Sequence, residues 1–258
     1  MTDIMISIYK TTIKIISLII CTLYSVHSTA QSNITLSDDA FNEKMLSCGL
    51  VNIATLDSSI LVDLRYSGTN NFLGEDMYGE LESAYFEAEF ADRVVAAQRE
   101  LRRRNPELRL LIYDAARPLS AQRRMRSMVE GTPFESFVAD GTKGGRHNYG
   151  VAVDVTLATA DGTPLDMGTP FDDFSEAAAV KLTPDSSDPA TRTVERYRHD
   201  LNTMQQQGLI SSEAVENRML LIEVMHTAGL VPYRREWWHF EETISMSKIR
   251  EKYKLLDF

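Results

Sequence analysis

The sequence predicts an α+β fold, in which a small, mostly antiparallel sheet is flanked by several helices. Apolar residues recur at helical spacing from 86 to 104 and in two further segments between 188 and 229. The short apolar runs have the length of strands, and residues 230–233 and 237–240 suit a closing strand pair. The 258 residues, 43% of them hydrophobic, suffice for one sizeable core and do not divide into comparable halves. We therefore expect one main domain.

Residues 1–30 have the features of a secretory signal peptide. Lys10 and Lys14 precede an apolar run from 15 to 26, and small residues follow at positions 28–30. This run is shorter than the roughly 20 apolar residues that a membrane span needs, so an uncleaved anchor is the less favoured alternative. We expect an exported protein, periplasmic or secreted, with no stable membrane span after cleavage.

Residues 31–49 are typical of a mobile leader, and residues 50–258 are expected to form the main domain. After cleavage behind Ala30, Cys48 is the only cysteine left, and a lone cysteine cannot form an intramolecular disulfide. The formal net charge of −10 makes nucleic acid and anionic membranes poor partners. The oligomeric state is left open by the sequence.

The first half of the main domain supplies two strand candidates and two helices. Residues 60–66 are β-branched and aromatic and end at a turn-like segment. The helix from 86 to 104 carries charge on its outer faces, and the compact apolar strand at 108–113 runs into a loop. Ser120 is expected to cap the next helix. Arg117 therefore lies where a strand gives way to a loop.

The second half contains a strand, a long loop and two helices. In the strand from 151 to 157 alternate valines share one face, so Asp154 points away from them. Residues 159–188 are rich in Gly, Pro, Asp, Ser and Thr, which is long for a connection and predicts a binding loop or lid. Asp188 is expected to cap the first helix, and the second is expected to begin near residue 211.

Three side chains along this half have the chemistry of a catalytic zinc site. Imidazole and carboxylate are preferred zinc ligands, and a catalytic site uses three protein ligands and leaves a fourth position open for water. His147, Asp154 and His239 meet that requirement for one Zn²⁺ per chain, and Glu236 is a spare carboxylate that can act as base. Glu236 and His239 are three residues apart and would face opposite sides of a regular strand. Glu236 should therefore precede the strand.

Spacing alone does not distinguish zinc ligands from histidines that are hydrogen-bonded structural residues. His199 and His226 each lie in a helical stretch without a second histidine at ligand spacing, and we interpret both as structural. Trp237 and Trp238 are interpreted as core or pocket wall.

Two longer stretches resemble the zinc motifs of a known family. The residues from Gly145 to Leu157 (GRHNYGVAVDVTL) and those from Glu236 to Phe240 (EWWHF) are similar to motifs of the D-alanyl-D-alanine dipeptidases, the vancomycin-resistance type of zinc metallopeptidase. Further segments agree in order along residues 50–245: Asp63-Leu64-Arg65-Tyr66, Asn71-Phe72, Tyr113-Asp114-Ala115-Ala116-Arg117-Pro118 and Asp166-Met167-Gly168-Thr169-Pro170-Phe171-Asp172.

The resemblance implies a role for each candidate residue, and the zinc ligands it implies are His147, Asp154 and His239. Glu236 would be the general base and acid, and Arg117 would stabilise the oxyanion of the tetrahedral intermediate. Tyr66 and Asp172 would contact substrate, with Asp172 receiving the ammonium group of a free dipeptide. An ordinary ion pair is the alternative for Arg117, and a loop-capping role is the alternative for Asp172.

The expected activity is zinc-dependent hydrolysis of D-Ala-D-Ala to two D-alanines. Many members of the family carry a serine where this chain has Gly145, a change that should spare metal binding but can alter substrate preference. Two alternatives remain open. One is a zinc D,D-carboxypeptidase that trims peptidoglycan stem peptides, and the other is a wall-binding module without turnover.

Overall fold

A computed structural model describes residues 38–79, 81–181 and 192–258. Within these residues the helices are α1 Asp38–Ser47, α2 Ala88–Arg104, α3 Leu119–Val129, α4 Val194–Gln206, α5 Ser212–Thr227 and α6 Met246–Lys252. The strands are β1 Leu50–Asn52, β2 Leu61–Val62, β3 Tyr85–Glu87, β4 Leu108–Asp114, β5 Ala152–Thr159, β6 Val231–Pro232 and β7 His239–Glu241.

The main sheet has five strands in the order β2-β4-β5-β7-β6. β2 and β4 are parallel, and the other neighbouring pairs are antiparallel. β1 and β3 form a separate antiparallel ribbon. This architecture confirms the α+β class and the mostly antiparallel sheet, and β6 with β7 confirms the predicted closing pair.

The central strand β5 brings the two sequence motifs together. Every residue of β5 except the last is buried, because both faces of the sheet are covered. Asp154 lies opposite Asp114 of β4 on one side and opposite His239 of β7 on the other. Three adjacent strands therefore present polar side chains at one place in the sheet.

Helix α2 packs its apolar stripe against the core, as its periodicity predicts. Phe90, Val94 and Leu101 are fully buried on that stripe. Phe86, predicted to begin the helix, instead pairs with Val51 in the ribbon. The helix starts later because the Glu87 side chain accepts a hydrogen bond from the backbone N–H of Phe90 and caps it.

The predicted mobile leader differs from the structure between residues 38 and 49. These residues include α1, whose Met45 is fully buried in the core. Phe41 also packs against that core, and Lys44 lies over the ring of Phe258. The apolar side chains of α1 gain burial that the sequence pattern alone did not indicate. The signal peptide predicted for residues 1–30 lies outside the described residues.

Two other predicted boundaries move. The strand candidate at 60–66 shortens to β2, because residues 65–67 turn into a 3-10 helix. Helix α4 begins at Val194 with Thr193 as its cap, whereas the predicted cap Asp188 lies outside the described residues. Across the described part of the chain, the helices all fall short of the length and apolar character that crossing a membrane requires.

Candidate active site

The side chains of His147, Asp154 and His239 converge on one point. His147 belongs to a 3-10 turn before β5, Asp154 lies within β5, and His239 begins β7. His147 Nε2 is 3.2 Å from His239 Nδ1, and Asp154 Oδ1 is 3.3 Å from the former and 3.0 Å from the latter. Among the described residues they form the group of His, Cys, Asp and Glu side chains placed to hold a metal ion.

This donor group fits zinc in chemistry and in spacing. Zinc binds imidazole nitrogen and carboxylate oxygen at about 2.0–2.2 Å, and tetrahedral angles then place the ligand atoms about 3.3 Å apart. The three separations in this chain lie close to that value. The geometry requires little rearrangement to receive the ion.

Contacts behind the donor atoms orient both imidazoles. His147 Nδ1 is 2.8 Å from the carbonyl oxygen of Ala115, which fixes Nε2 as the atom facing the site. His239 Nε2 is 3.2 Å from Glu241 Oε2, and Arg146 Nε is 2.9 Å from that same oxygen. Each imidazole thus has an acceptor on its far side, as metal-binding histidines commonly do.

The charges of the site favour a cation. Burial opposes the imidazolium, but hydrogen bonds to Asp154 and Glu241 raise the pKa of His239 to about 10. Burial opposes the ionised form of Asp154 as well, yet His147 and His239 hold its pKa well below the usual range. Metal binding needs a neutral imidazole, so His239 would have to release its proton to serve as a zinc ligand.

Glu236 lies just before β7, as the strand parity predicts. It belongs to a turn in which its N–H donates to the Tyr233 carbonyl, and its own carbonyl accepts from the N–H of His239. Burial raises the pKa of its carboxyl to about 7, with Asp154 adding to the effect and His239 opposing it. A carboxylate whose pKa lies near neutrality is suited to taking and returning a proton.

Arg117 lies at the end of β4 and is held by a polar network. Its Nε donates to Asp114 Oδ2 at 3.0 Å, and its Nη2 also contacts that oxygen. Nη1 donates to Gln122 Oε1 at 2.9 Å, and the hydroxyl of Tyr78 donates to Asp114 Oδ1 at 2.6 Å. Burial disfavours the guanidinium charge, yet Asp114 raises the pKa of Arg117 well above its usual value. The arginine is therefore a fixed cation.

Asp172 and Tyr66 both line the cavity and contact each other. The hydroxyl of Tyr66 lies 3.1 and 3.2 Å from the two carboxylate oxygens of Asp172, and the backbone N–H of Phe72 donates to Oδ2 at 3.2 Å. Burial raises the pKa of Asp172 to about 8, and the charge of Asp154 contributes in the same direction. A cationic group placed beside Asp172 would lower that pKa and restore the carboxylate.

One cavity of about 340 Å³ brings all the predicted site residues together: Tyr66, Arg117, His147, Asp154, Asp172, Glu236 and His239. Gly145 also lines it, and a Cβ there would lie 3.3 Å from the Cβ of Ala139. His199 and His226 are absent from the described lining and belong to α4 and α5. Trp238 lines the cavity, in agreement with its interpretation as pocket wall.

Sequence reasoning missed the residues that support this site. Asp114 and Gln122 hold Arg117, and Glu241 holds His239. A signal was present for Glu241, since it is two residues after His239 and shares its strand face. No spacing rule identifies Asp114, because its contacts depend on the turn between β4 and α3.

The sheet presents two histidines and a carboxylate, with an acidic residue of raised pKa nearby. This combination is typical of the active site of a metallopeptidase. The comparisons with known proteins agree. The Peptidase_M15 family model, described as D-ala-D-ala dipeptidase, matches residues 46–254. The chain belongs to this family. Its peptidases are zinc enzymes, and the donor group described above fits that ion.

Two relatives carry the same description. The chain is 29% identical to a D-alanyl-D-alanine dipeptidase of Escherichia coli K12, over 74% of this chain and 83% of the relative. It is 25% identical to a D-alanyl-D-alanine dipeptidase of Synechocystis sp. PCC 6803, over 53% of this chain and 60% of the relative. The family supports peptidase activity on dipeptides.

Proposed function

We propose that this chain hydrolyses D-Ala-D-Ala to two D-alanines with one zinc ion held by His147, Asp154 and His239. The observation that carries the proposal is the shared cavity, which is lined by the three clustered donor residues and also by Glu236 and Asp172. A metal site with a general base explains hydrolysis, and a buried carboxylate in the same cavity explains a preference for a short substrate with a free amino group.

Recognition of the substrate begins with its charged amino terminus. The Asp172 carboxylate accepts hydrogen bonds from Tyr66 and Phe72, and its oxygens have further lone pairs that can accept from an ammonium group. Because the site is partly closed to water, the attraction between ammonium and carboxylate is stronger than at an exposed surface. A longer stem peptide has an amide at this position and would leave the carboxylate without a cation.

The chemistry combines the metal with two residues of the chain. Bound zinc supplies Lewis acidity, which polarises the scissile carbonyl and acidifies the attacking water. Glu236 accepts the proton of that water on its carboxylate and then delivers it to the nitrogen of the leaving D-alanine. The pKa near 7 allows both transfers.

Arg117 stabilises the negative charge that develops on the carbonyl oxygen. Its contacts to Asp114 and Gln122 use one N–H of each terminal nitrogen, and each of these nitrogens carries a second N–H that can point at the substrate. The guanidinium is already oriented, so no reorganisation is needed when the charge forms. A single donor of this kind contributes about 3–4 kcal/mol in enzymes generally.

The experiment is to measure release of free D-alanine by the purified protein. D-Ala-D-Ala and a stem pentapeptide ending in D-Ala-D-Ala are compared, before and after chelation and after zinc is restored. Zinc-dependent cleavage of the dipeptide alone supports the proposal. Cleavage of the pentapeptide instead indicates a D,D-carboxypeptidase, and binding of wall fragments without cleavage of either substrate indicates a wall-binding module.

Export completes the proposal. The basic and apolar residues at the N-terminus support a cleaved signal peptide and a periplasmic or secreted enzyme. An exported dipeptidase does not reach cytoplasmic wall precursors, which favours scavenging of wall-derived dipeptides over glycopeptide resistance. N-terminal sequencing of protein recovered outside the cytoplasm tests this, and an intact Met1 would contradict it.

A further inference from the structure

The segment that carries Asp172 has an unusual backbone. Asp172 has a φ of 62°, and it is the one non-glycine residue with positive φ among those described. Left-handed backbone is unfavourable for a residue with a Cβ and persists where surrounding contacts impose it. Tyr66 and Phe72, which lie outside this stretch, hold the Asp172 side chain by hydrogen bonds. We call residues 167–179 the Asp172 segment.

Arg218 of α5 donates hydrogen bonds to both ends of the Asp172 segment. Its Nε donates to the carbonyl oxygen of Met167 at 2.7 Å, and its Nη1 donates to the carbonyl oxygen of Ala179 at 2.9 Å. Arg218 is 1% exposed and Met167 is 2% exposed, so water competes for neither bond. One side chain thus spans the two points between which Asp172 lies.

Other contacts attach the segment to Trp237, the residue that follows Glu236, and to α5. The indole N–H of Trp237 donates to Thr169 Oγ1 at 2.9 Å, and its backbone N–H donates to the Ala178 carbonyl at 3.0 Å. A Cβ on Gly168 would meet Ala214 of α5 at 3.0 Å, which shows how closely the segment approaches the helix. The Asp172 segment therefore contacts both Trp237, which is next to Glu236, and α5, which carries Arg218.

Burial of the Arg218 charge at this position is energetically unfavourable. Burial lowers the pKa of its guanidinium to about 10, and among the described residues Asp166 and Asp173 oppose that effect through their charge. Its Nη2 has no hydrogen-bond partner among the described residues. An apolar side chain of similar size would avoid the desolvation cost of the charge but would leave two buried carbonyls without donors. What Arg218 adds is the fixed distance between those carbonyls.

We propose that Arg218 is a positioning residue for substrate recognition: by holding the carbonyls of Met167 and Ala179, it fixes Asp172 where it accepts the substrate ammonium group. The inference rests on the proposed function, because it assigns Arg218 to the same dipeptide site. Arg218 does not touch the cavity and acts through the Asp172 segment. Its loss should weaken binding of the amino terminus and leave the metal and the chemical step in place.

The test compares the zinc-loaded variants Arg218→Met, Arg218→Lys and Asp172→Asn with wild type. We expect Arg218→Met to raise KM for D-Ala-D-Ala about ten- to hundredfold with little change in kcat, since a hydrogen bond to a charged group contributes a factor of this size. Arg218→Lys keeps the charge and can reach one carbonyl, so its KM should lie between wild type and Arg218→Met. Arg198→Met is the matched control, because Arg198 lies exposed on α4 in an ion pair with Glu223.

The double variant Arg218→Met/Asp172→Asn separates positioning from general damage. If Arg218 acts through Asp172, the double variant should have nearly the KM of Asp172→Asn alone. Multiplication of the two effects would overturn the proposal, as would an equal fall of kcat in Arg218→Met. N-acetyl-D-Ala-D-Ala, which lacks the ammonium group, should show the same KM, or the same inhibition constant when it is not cleaved, for wild type and Arg218→Met.

Hydrogen exchange keeps this inference distinct from the proposed function. A wild-type protein inactive on D-Ala-D-Ala would refute the proposed function, and with it the assignment of Arg218 to substrate recognition. Amide hydrogen exchange then tests whether the Arg218 hydrogen bonds to Met167 and Ala179 hold the segment, a restraint that we call the tether. The amides of residues 167–179 should exchange faster in Arg218→Met than in wild type or Arg198→Met. Unchanged exchange would overturn the tether whatever the activity.

Discussion

Asp154 and His239 are directly paired residues of neighbouring antiparallel strands, and their side-chain atoms Oδ1 and Nδ1 lie 3.0 Å apart. The pairing of β5 with β7 therefore sets the distance between two donor atoms through backbone hydrogen bonds. His147 joins them from the turn that leads into β5. The sheet thus fixes the relative positions of two of the three candidate ligands.

His147→Ala should weaken zinc binding. It removes one of three donors, and changes behind the donors alone commonly cost 10–100-fold in metal affinity, so we expect a loss of more than about 100-fold. Competition with a chelator of known affinity measures it. His199→Ala is the control, because His199 is exposed on α4. Unchanged affinity in His147→Ala would remove His147 from the ligand set.

Glu236→Gln should keep stoichiometric zinc and lose turnover. Glutamine has nearly the same size but cannot accept the proton, and a general acid or base contributes about 10²- to 10⁴-fold to the rate. Metal content and kcat on D-Ala-D-Ala are measured on the same preparation. Glu213→Gln, at an exposed position of α5, is the matched control. A fully active Glu236→Gln protein would exclude Glu236 as the base.

Arg117→Lys should lower kcat by about 10²- to 10³-fold while KM changes little. Lysine keeps the charge but loses the planar fork that Asp114 and Gln122 orient. Steady-state kinetics with Arg198→Lys as control measure the split between kcat and KM. A variant that raises KM alone would place Arg117 in ground-state binding instead.

The pH profile should show an acidic limb that belongs to Glu236. Its pKa is raised to about 7 by burial, and the reaction needs the carboxylate, so kcat, which reports the enzyme–substrate complex in which Asp172 is already ionised, falls as pH decreases through that pKa. Bound zinc stabilises the carboxylate and moves the limb to or below about pH 7. The limb should disappear from the residual activity of Glu236→Gln. A limb that persists unchanged in that variant would assign the titration to another group.

Much of the site could be predicted from the sequence because its signals are local. Residue types together with the resemblance to known zinc motifs indicated the candidate ligands, and strand parity placed Glu236 ahead of the strand that carries His239. The supporting contacts could not be predicted, since Asp114 meets Arg117 through a turn, and Arg218 meets Met167 across 51 positions. The strand at 60–66 was overestimated because its composition favours β-structure, whereas a 3-10 helix at 65–67 places Tyr66 toward Asp172.

Helix α1 extends the folded domain on the N-terminal side of the region that the family model matches. The match to the family starts at residue 46, within α1, and a boundary drawn there would cut the helix and remove Met45 from the core. A fully buried side chain of this kind contributes about 2–5 kcal/mol, a large part of the stability of an ordinary domain. For recombinant production, the shortest chain that keeps α1 whole starts at Asp38, and a tag belongs ahead of that residue.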